Sequence, residues 1–249
     1  MTKKLDFIIC GVQKSGTNTL HGLLSTHPDI AVGQRRELHL FDDQSVDWEH
    51  PDYAAYHHKF GTADETKLWG ECTPVYIYMP GCLERIRAYN PAVKLIAIFR
   101  DPVDRAFSGW CMEYARHADT MLFADAIREG RSRVAAAPGG WHRVYSYVER
   151  GYYGRQVERL LSIFPKDQFL AVDFSDLKVN QQAVLDAVSD FLGIRRAKAP
   201  TELLHKFPKA VFDYPSALTD RDEHYLASLY ADDSRTFRQL TGLTCRSWS

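Results

Sequence analysis

FIICGVQKSGTNT, running from Phe7 to Thr19, is a short apolar run that breaks into a polar loop bracketed by glycines. Such a run reads as a strand buried on both faces, the loop as a turn, and the residues after it as the start of a helix. Gly11 and Gly16 stand at the G-x-x-x-x-G spacing of a phosphate-cradling loop, where backbone N–H groups and a helix N-terminus converge on an anion. A nucleoside-triphosphate loop continues with Lys and then Ser or Thr. Here Thr17 and Asn18 follow, and the lysine, Lys14, lies inside the loop. By itself this stretch fits an ordinary strand–helix turn as well as it fits an anion site.

Four further strand-like runs repeat the pattern, so that residues 5–10, 30–32, 67–70, 93–99 and 168–173 make five. Helical periodicity fills the intervals at 17–25, 51–60, 102–114, 152–164 and 180–192, and a last long helix is expected from about 219 to 242. Strands that alternate with helices predict an α/β fold, a mostly parallel central sheet of about five strands flanked by helices. Residues 1–249 are expected to form a single domain. Ligands bind such sheets at the carboxyl ends of their strands, which is where the Gly11–Gly16 loop falls. The stretch 135–140, AAAPGG, is expected to be a flexible loop.

Composition narrows the function. The residues are 45% apolar and 12% aromatic, enough for a large core, and the formal net charge of −1 gives no general attraction to nucleic acid or acidic membranes. The five cysteines, Cys10, Cys72, Cys82, Cys111 and Cys245, make no C-x-x-C pair and read as reduced thiols rather than a zinc site or disulfide framework. The apolar run after Lys3 and Lys4 is too short for a signal peptide, and no stretch approaches the ~20 residues needed to span a bilayer. The expectation is a cytoplasmic protein without a membrane span; its oligomeric state is not legible.

A second polar cluster follows the fourth strand: RDPVDRAFSGW, residues 100–110. Arg100 sits at the strand's end, Pro102 suits a first helical turn, and Ser108 lies nearly two turns on. Arginine grips phosphate bidentately and a hydroxyl can share it. A surface ion pair of Arg100 with Asp101 or Asp104 accounts for the same residues.

Together these segments resemble the sulfotransferases that use 3′-phosphoadenosine-5′-phosphosulfate (PAPS), and most closely the Golgi heparan-sulfate branch and its bacterial relatives. GVQKSGTNTL is similar to their 5′-phosphosulfate loop and IFRDPVDRAFSGW to their 3′-phosphate motif. RRELHLFD, GECTPVYIYMP and RGYYGRQVERLLSIFPKDQFLAVDFSDL are similar to three supporting segments of that branch. The resemblance implies a P-loop-like fold in which Gln13, Lys14, Ser15, Gly16, Thr17, Asn18 and Thr19 hold the 5′-phosphosulfate and Arg100 with Ser108 holds the 3′-phosphate. It implies that Lys14 neutralises charge on the leaving phosphate, that Glu37 is the general base with His39 beside it, and that PAP is the product with no metal required. His39 alone is also a credible base, since its ordinary pKa lies near neutrality. The implied acceptor is a hydroxyl or amine of a glycan or small metabolite, and no nucleic acid.

Departures from the pattern bear on the acceptor. Cys72 stands where the heparan-sulfate enzymes carry lysine, and Arg36 replaces a lysine before the base. Lys206 and Lys209, in HKFPKAVFDYP, are candidates either for a nucleotide contact or for plain surface residues. Trp141, Tyr145 and Tyr147, among the arginines of 113–149, suit either an acceptor pocket or core packing. The rival functions are a P-loop kinase, opposed by the missing G-K-[ST], and a nucleotide- or glycan-binding protein without catalysis.

Overall fold

The computed structural model describes residues 3–61, 64–200 and 213–244. The chain runs β1 (Phe7–Gly11), α1 (Thr17–Ser25), β2 (Ile30–Val32), α2 (Ala54–His57), β3 (Leu68–Cys72), α3 (Cys82–Tyr89) and β4 (Lys94–Phe99). It continues with α4 (Pro102–Ala115), α5 (Phe123–Ala126), α6 (Arg131–Ala135), α7 (Tyr153–Ile163), β5 (Phe169–Asp173), α8 (Phe174–Val179), α9 (Gln181–Leu192) and α10 (Asp220–Thr241). These elements group into two compact units, Met1–Phe99 with Arg159–Phe207, and Arg100–Glu158 with Pro208–Ser249.

The first unit holds the sheet. Its five strands are all parallel, in the order β2-β3-β1-β4-β5, so β1 is central and the loop after it leaves from the middle of the carboxyl edge. The five expected strands and the α/β class are thus borne out. Alternate residues of each strand point to opposite faces. Phe7, Ile9, Ile96 and Ile98 pack with Leu20, Leu23 and Leu24 of α1 and Val184, Leu185 and Val188 of α9. Ile8, Cys10, Leu95 and Ala97 are equally buried. Gly70 is a glycine in mid-strand because its register partner Phe7 takes the space: a Cβ there would lie 2.0 Å from the ring.

The third strand runs further than expected. The apolar run ends at Gly70, but pairing continues through Glu71 and Cys72. The short helices α3, α5, α6 and α8 were not expected, since one or two turns hold too few positions for periodicity to register. The 51–60 helix is a four-residue α2 followed by a 3₁₀ turn at His58–Phe60. The stretch 135–140 closes α6 and then makes a 3₁₀ turn, Pro138–Gly140, with Gly139 at φ 77°.

The second unit is helical. Val103, Ala106 and Trp110 of α4, Phe123 and Ala126 of α5, Tyr147, Val148, and Leu226 and Tyr230 of α10 form its core. Helix α10 begins with a capping box, in which Thr219 and Asp222 satisfy each other's backbone amides, and ends at Gly242 with φ 77°.

Candidate functional site

The loop after β1 is held from below. Val12 N–H donates to Ile98 O at 3.0 Å, and Ile77 N–H donates to Cys10 O at 2.9 Å. Lys14 and Gly16 both adopt left-handed backbone, φ 72° and 84°. Gly16 is the N-cap of α1 and brings no side-chain cap to that helix terminus. A Cβ on Gly16 would lie 2.9 Å from the Phe174 ring, so both torsion and space require glycine. Ser15 is fully buried and its Oγ has no hydrogen-bond partner among the described residues. An uncapped helix N-terminus with a left-handed turn and an unsatisfied buried hydroxyl is a fitting cradle for an anion. Gln13 to Thr19 thus come together on the loop and the first turn of α1.

Glu37 and His39 lie on the segment after β2, and the structure joins them. The segment is not extended: Glu37 has φ 55° and His39 φ 52°. Even so, His39 Nε2 is 3.2 Å from Glu37 Oε2, and its Nδ1 is 2.9 Å from Asp42 Oδ2. Asp42 is buried, and its hydrogen bond, followed by that of Glu37, pushes the His39 pKa up to about 9 against the cost of burial. At neutral pH the ring is an imidazolium donating from both nitrogens. Asp42 was not singled out from the sequence; its only signal is its place at the end of RRELHLFD, three residues after His39.

Cys72 ties this segment to the loop. Its carbonyl accepts from Glu37 N–H at 2.9 Å, and its thiol donates to Thr17 O at 3.8 Å. The side chain is buried, and burial pushes the thiol pKa well above the usual range. The position that is lysine in the resembling enzymes is therefore an interior one here. Among the described residues Cys10, Cys72, Cys82 and Cys111 form no disulfide, and Cys245 lies outside those residues.

In the second unit, Arg100 Nη2 lies 3.7 Å from Asp104 Oδ2, a partly exposed pair. Asp101 instead caps α4, its side chain accepting from Val103 N–H at 3.0 Å and Asp104 N–H at 3.3 Å. Ser108 is half-buried on α4. Tyr147 and Tyr145 of the 113–149 tract have defined partners, and Trp141 is half-buried. Tyr147 is buried and donates from its hydroxyl to Asp119 at 2.9 Å, while Arg133 stacks 3.8 Å from the Tyr145 ring and His142 stacks 4.2 Å from it. Lys206 and Lys209 lie outside the described residues. Among the described residues no group of three or more His, Cys, Asp or Glu could hold a metal ion, and no helix is long and apolar enough to cross a membrane.

Comparison with known proteins meets this geometry from outside. Residues 4–238 match the family described as Sulfotransferase domain. Heparan sulfate glucosamine 3-O-sulfotransferase 3A1 of Mus musculus is 33% identical over 190 residues, covering 76% of this chain and 46% of that protein. Bifunctional heparan sulfate N-deacetylase/N-sulfotransferase 2 of Homo sapiens is 27% identical over 198 residues, covering 76% and 22%. The chain therefore spans about half the length, or less, of these curated relatives. Among solved structures, a sulfotransferase from Alicyclobacillus acidocaldarius superposes with a TM-score of 0.82 over 99% of each chain at 24% identity, which shows a shared fold.

Proposed function

This chain belongs to the sulfotransferase domain family, and from that premise we propose that it transfers a sulfuryl group from PAPS to a hydroxyl or amine of a glycan or small metabolite. PAPS, as co-substrate, supplies an activated sulfuryl group whose S–O bond to the 5′-phosphate breaks while the acceptor oxygen or nitrogen bonds to sulfur. The chain's own residues do the rest.

Lys14, on the loop, neutralises negative charge as it collects on the leaving phosphate oxygen. The backbone of Gly16 with Thr17, Asn18 and Thr19 holds the 5′-phosphate at the start of α1. Gln13 and Ser15 complete the loop, and the buried Ser15 hydroxyl is available to that phosphate. Arg100 and Ser108 are assigned the 3′-phosphate, which distinguishes this donor from ATP. The transition state is loose and in line, so positioning carries most of the catalysis.

Glu37 takes the acceptor's proton. The observation that carries this reading is the pairing of Glu37, through a charged His39, with buried Asp42. An imidazolium has no lone pair to accept a proton, which favours Glu37 over His39 as base. Two carboxylates around one cation leave the array a net negative charge with which to receive it. PAP leaves as product, and the residues assigned here need no metal.

Isothermal titration with PAP and with ATP, followed by an acceptor screen with labelled PAPS, tests the reading. PAP binding in preference to ATP, with transfer to an acceptor, is expected. Preference for ATP would overturn it, and tight PAP binding without transfer to any acceptor would favour a binding protein. The heparan sulfate sulfotransferases among the relatives make sulfated and unsulfated glycans the first acceptors to try.

A further inference from the structure

Asp42 is the anchored end of the Glu37–His39–Asp42 array. The side chains of Glu37 and His39 are 42% and 40% exposed, whereas that of Asp42 is fully buried. Solvent can rearrange the first two, so the orientation of the imidazole depends on where the Asp42 carboxylate is held. Burying a carboxylate is costly, and the turn that carries it inward must itself be fixed. Leu40 to Asp43 make that turn, closed by Asp43 N–H donating to Leu40 O at 3.0 Å.

Three side chains from outside the turn take up its other backbone groups. Tyr76, from the chain after β3, accepts at its hydroxyl oxygen from Leu40 N–H at 3.1 Å and from Phe41 N–H at 3.4 Å. Arg85 of α3 donates from Nη1 to Phe41 O at 2.8 Å. Trp48 donates from Nε1 to Asp43 O at 2.9 Å. The carbonyls of the two residues that flank Asp42 are therefore held by side chains that also hold each other, since the Arg85 guanidinium lies 4.5 Å from the centroid of the Trp48 ring. The Phe41 ring is fully buried and meets the rings of Trp48, Tyr56, Tyr76 and Tyr89 at centroid distances of 6.2, 5.7, 5.5 and 5.4 Å. At the other end of the array, Glu37 N–H is fixed on Cys72 O.

Resting on the sulfotransferase reading, we infer that Arg85, Trp48 and Tyr76 are positioning residues for the base: they grip the Leu40–Asp43 turn by its N–H and C=O groups, which sets Asp42 against His39 and His39 against Glu37. None of the three touches the reacting atoms in the chemistry proposed above. Ordinary packing of the turn would make these residues matter for stability alone. Positioning makes them matter through Asp42, so their effect on the base must vanish once that carboxylate is gone.

The test combines a readout that needs no acceptor with one that does. His39 is titrated by NMR, and kcat, KM for PAPS, PAP affinity and melting temperature are measured. The chains compared are the wild type, Arg85→Met, Arg85→Lys, Tyr76→Phe, Trp48→Phe, Asp42→Asn, and Arg85→Met combined with Asp42→Asn. In Arg85→Met and Tyr76→Phe the His39 pKa should fall from about 9 toward the ordinary 6.5, and kcat should drop about 100-fold with KM for PAPS and PAP affinity unchanged. Arg85→Lys, which keeps a cationic donor for Phe41 O, should recover most of both. Trp48 is half-buried, so Trp48→Phe puts folding least at risk. It keeps a ring for Arg85 but loses the donor to Asp43 O, and should lower kcat about 2- to 10-fold, the equivalent of one neutral hydrogen bond. With Asp42→Asn already in place, Arg85→Met should change neither His39 nor kcat further. Variants that lower the melting temperature alone, or that lower kcat equally with and without the Asp42 carboxylate, overturn the inference, as does a kcat loss matched by lost PAP binding. A wild type inactive on every acceptor, with His39 responding as stated, overturns the sulfotransferase reading instead and leaves the positioning of His39 standing.

Discussion

His39 Nε2 lies 3.2 Å from Glu37 Oε2 while both residues hold left-handed backbone, φ 52° and 55°. The ring is bonded on its other side to Asp42, so each of its two N–H protons meets a carboxylate. In Asp42→Asn the larger of the two bonds that raise His39 is weakened, and its pKa should fall from about 9 toward 6.5, read by NMR. The same shift links to stability. A histidine whose folded pKa is raised stabilises fully below its unfolded value and loses that contribution as pH rises through the folded one. The urea midpoint of the wild type should therefore decline, relative to His39→Gln, between about pH 6.5 and pH 9. Parallel midpoints across that window would show that the pair is not formed.

Lys14→Ala should lower kcat by about 100- to 1,000-fold, the size of a lost transition-state donor. Glu37→Gln should lower it by about 100- to 10,000-fold while PAP affinity stays put. Steady-state transfer of labelled sulfate measures both. Near-full activity in Glu37→Gln would pass the role of base to another group.

Arg100→Ala should weaken PAP binding by about 10-fold or more, the equivalent of a charge-assisted hydrogen bond. Binding of adenosine 5′-phosphosulfate, which has no 3′-phosphate, should be unaffected. Because exposed ion pairs contribute little, losing the Arg100–Asp104 contact should leave the melting temperature where it was. Equal weakening of both nucleotides in calorimetry would remove the 3′-phosphate assignment.

Two glycine substitutions separate packing from binding. Gly70→Ala places a Cβ 2.0 Å from the Phe7 ring in mid-sheet and should cost about 1–3 kcal/mol of stability by overpacking. Gly16→Ala meets Phe174 at 2.9 Å and strains φ 84°, and should in addition weaken PAP binding because the loop itself must shift. A Gly16→Ala chain with normal PAP affinity would detach the loop from the nucleotide.

Cys72→Lys restores the residue of the resembling enzymes but buries an ammonium where the thiol now contacts Thr17 O. It should destabilise the chain rather than create a basic acceptor contact. A raised affinity for anionic glycans at unchanged melting temperature would show that the lysine finds solvent.

The sheet and the loop were legible because they rest on local signals. Buried strands are continuous apolar runs, and α1 spans the expected Thr17–Ser25. The third strand outruns its apolar run by two residues because Glu71 interrupts that run, and a lone carboxyl in a sequence points to the surface. The hydrogen-bond partner of Glu71 is Thr73, and its other neighbours, Tyr56 and Tyr76, come beside it only when the chain folds. Asp42 escaped for a related reason. Its tie to His39 depends on left-handed torsions at Glu37 and His39, which are uncommon for any residue but glycine and carry no signal in the sequence. Aromatics among arginines suit packing and recognition alike, so the sequence of 113–149 carries both readings; in the structure Arg133 and His142 stack on the Tyr145 ring.

The order of the strands has a consequence for biosynthesis. Central β1 finds both its neighbours, β3 and β4, within the first hundred residues, but β4 pairs on its far side with β5, which begins at Phe169. As the chain leaves the ribosome, the segment KLIAIF presents an unpaired, nearly uncharged edge until some seventy further residues have been made. The nascent chain is most prone to aggregate during that interval. Slower translation between the fourth and fifth strands prolongs it, whereas a chaperone that covers a single β-edge shields the growing sheet.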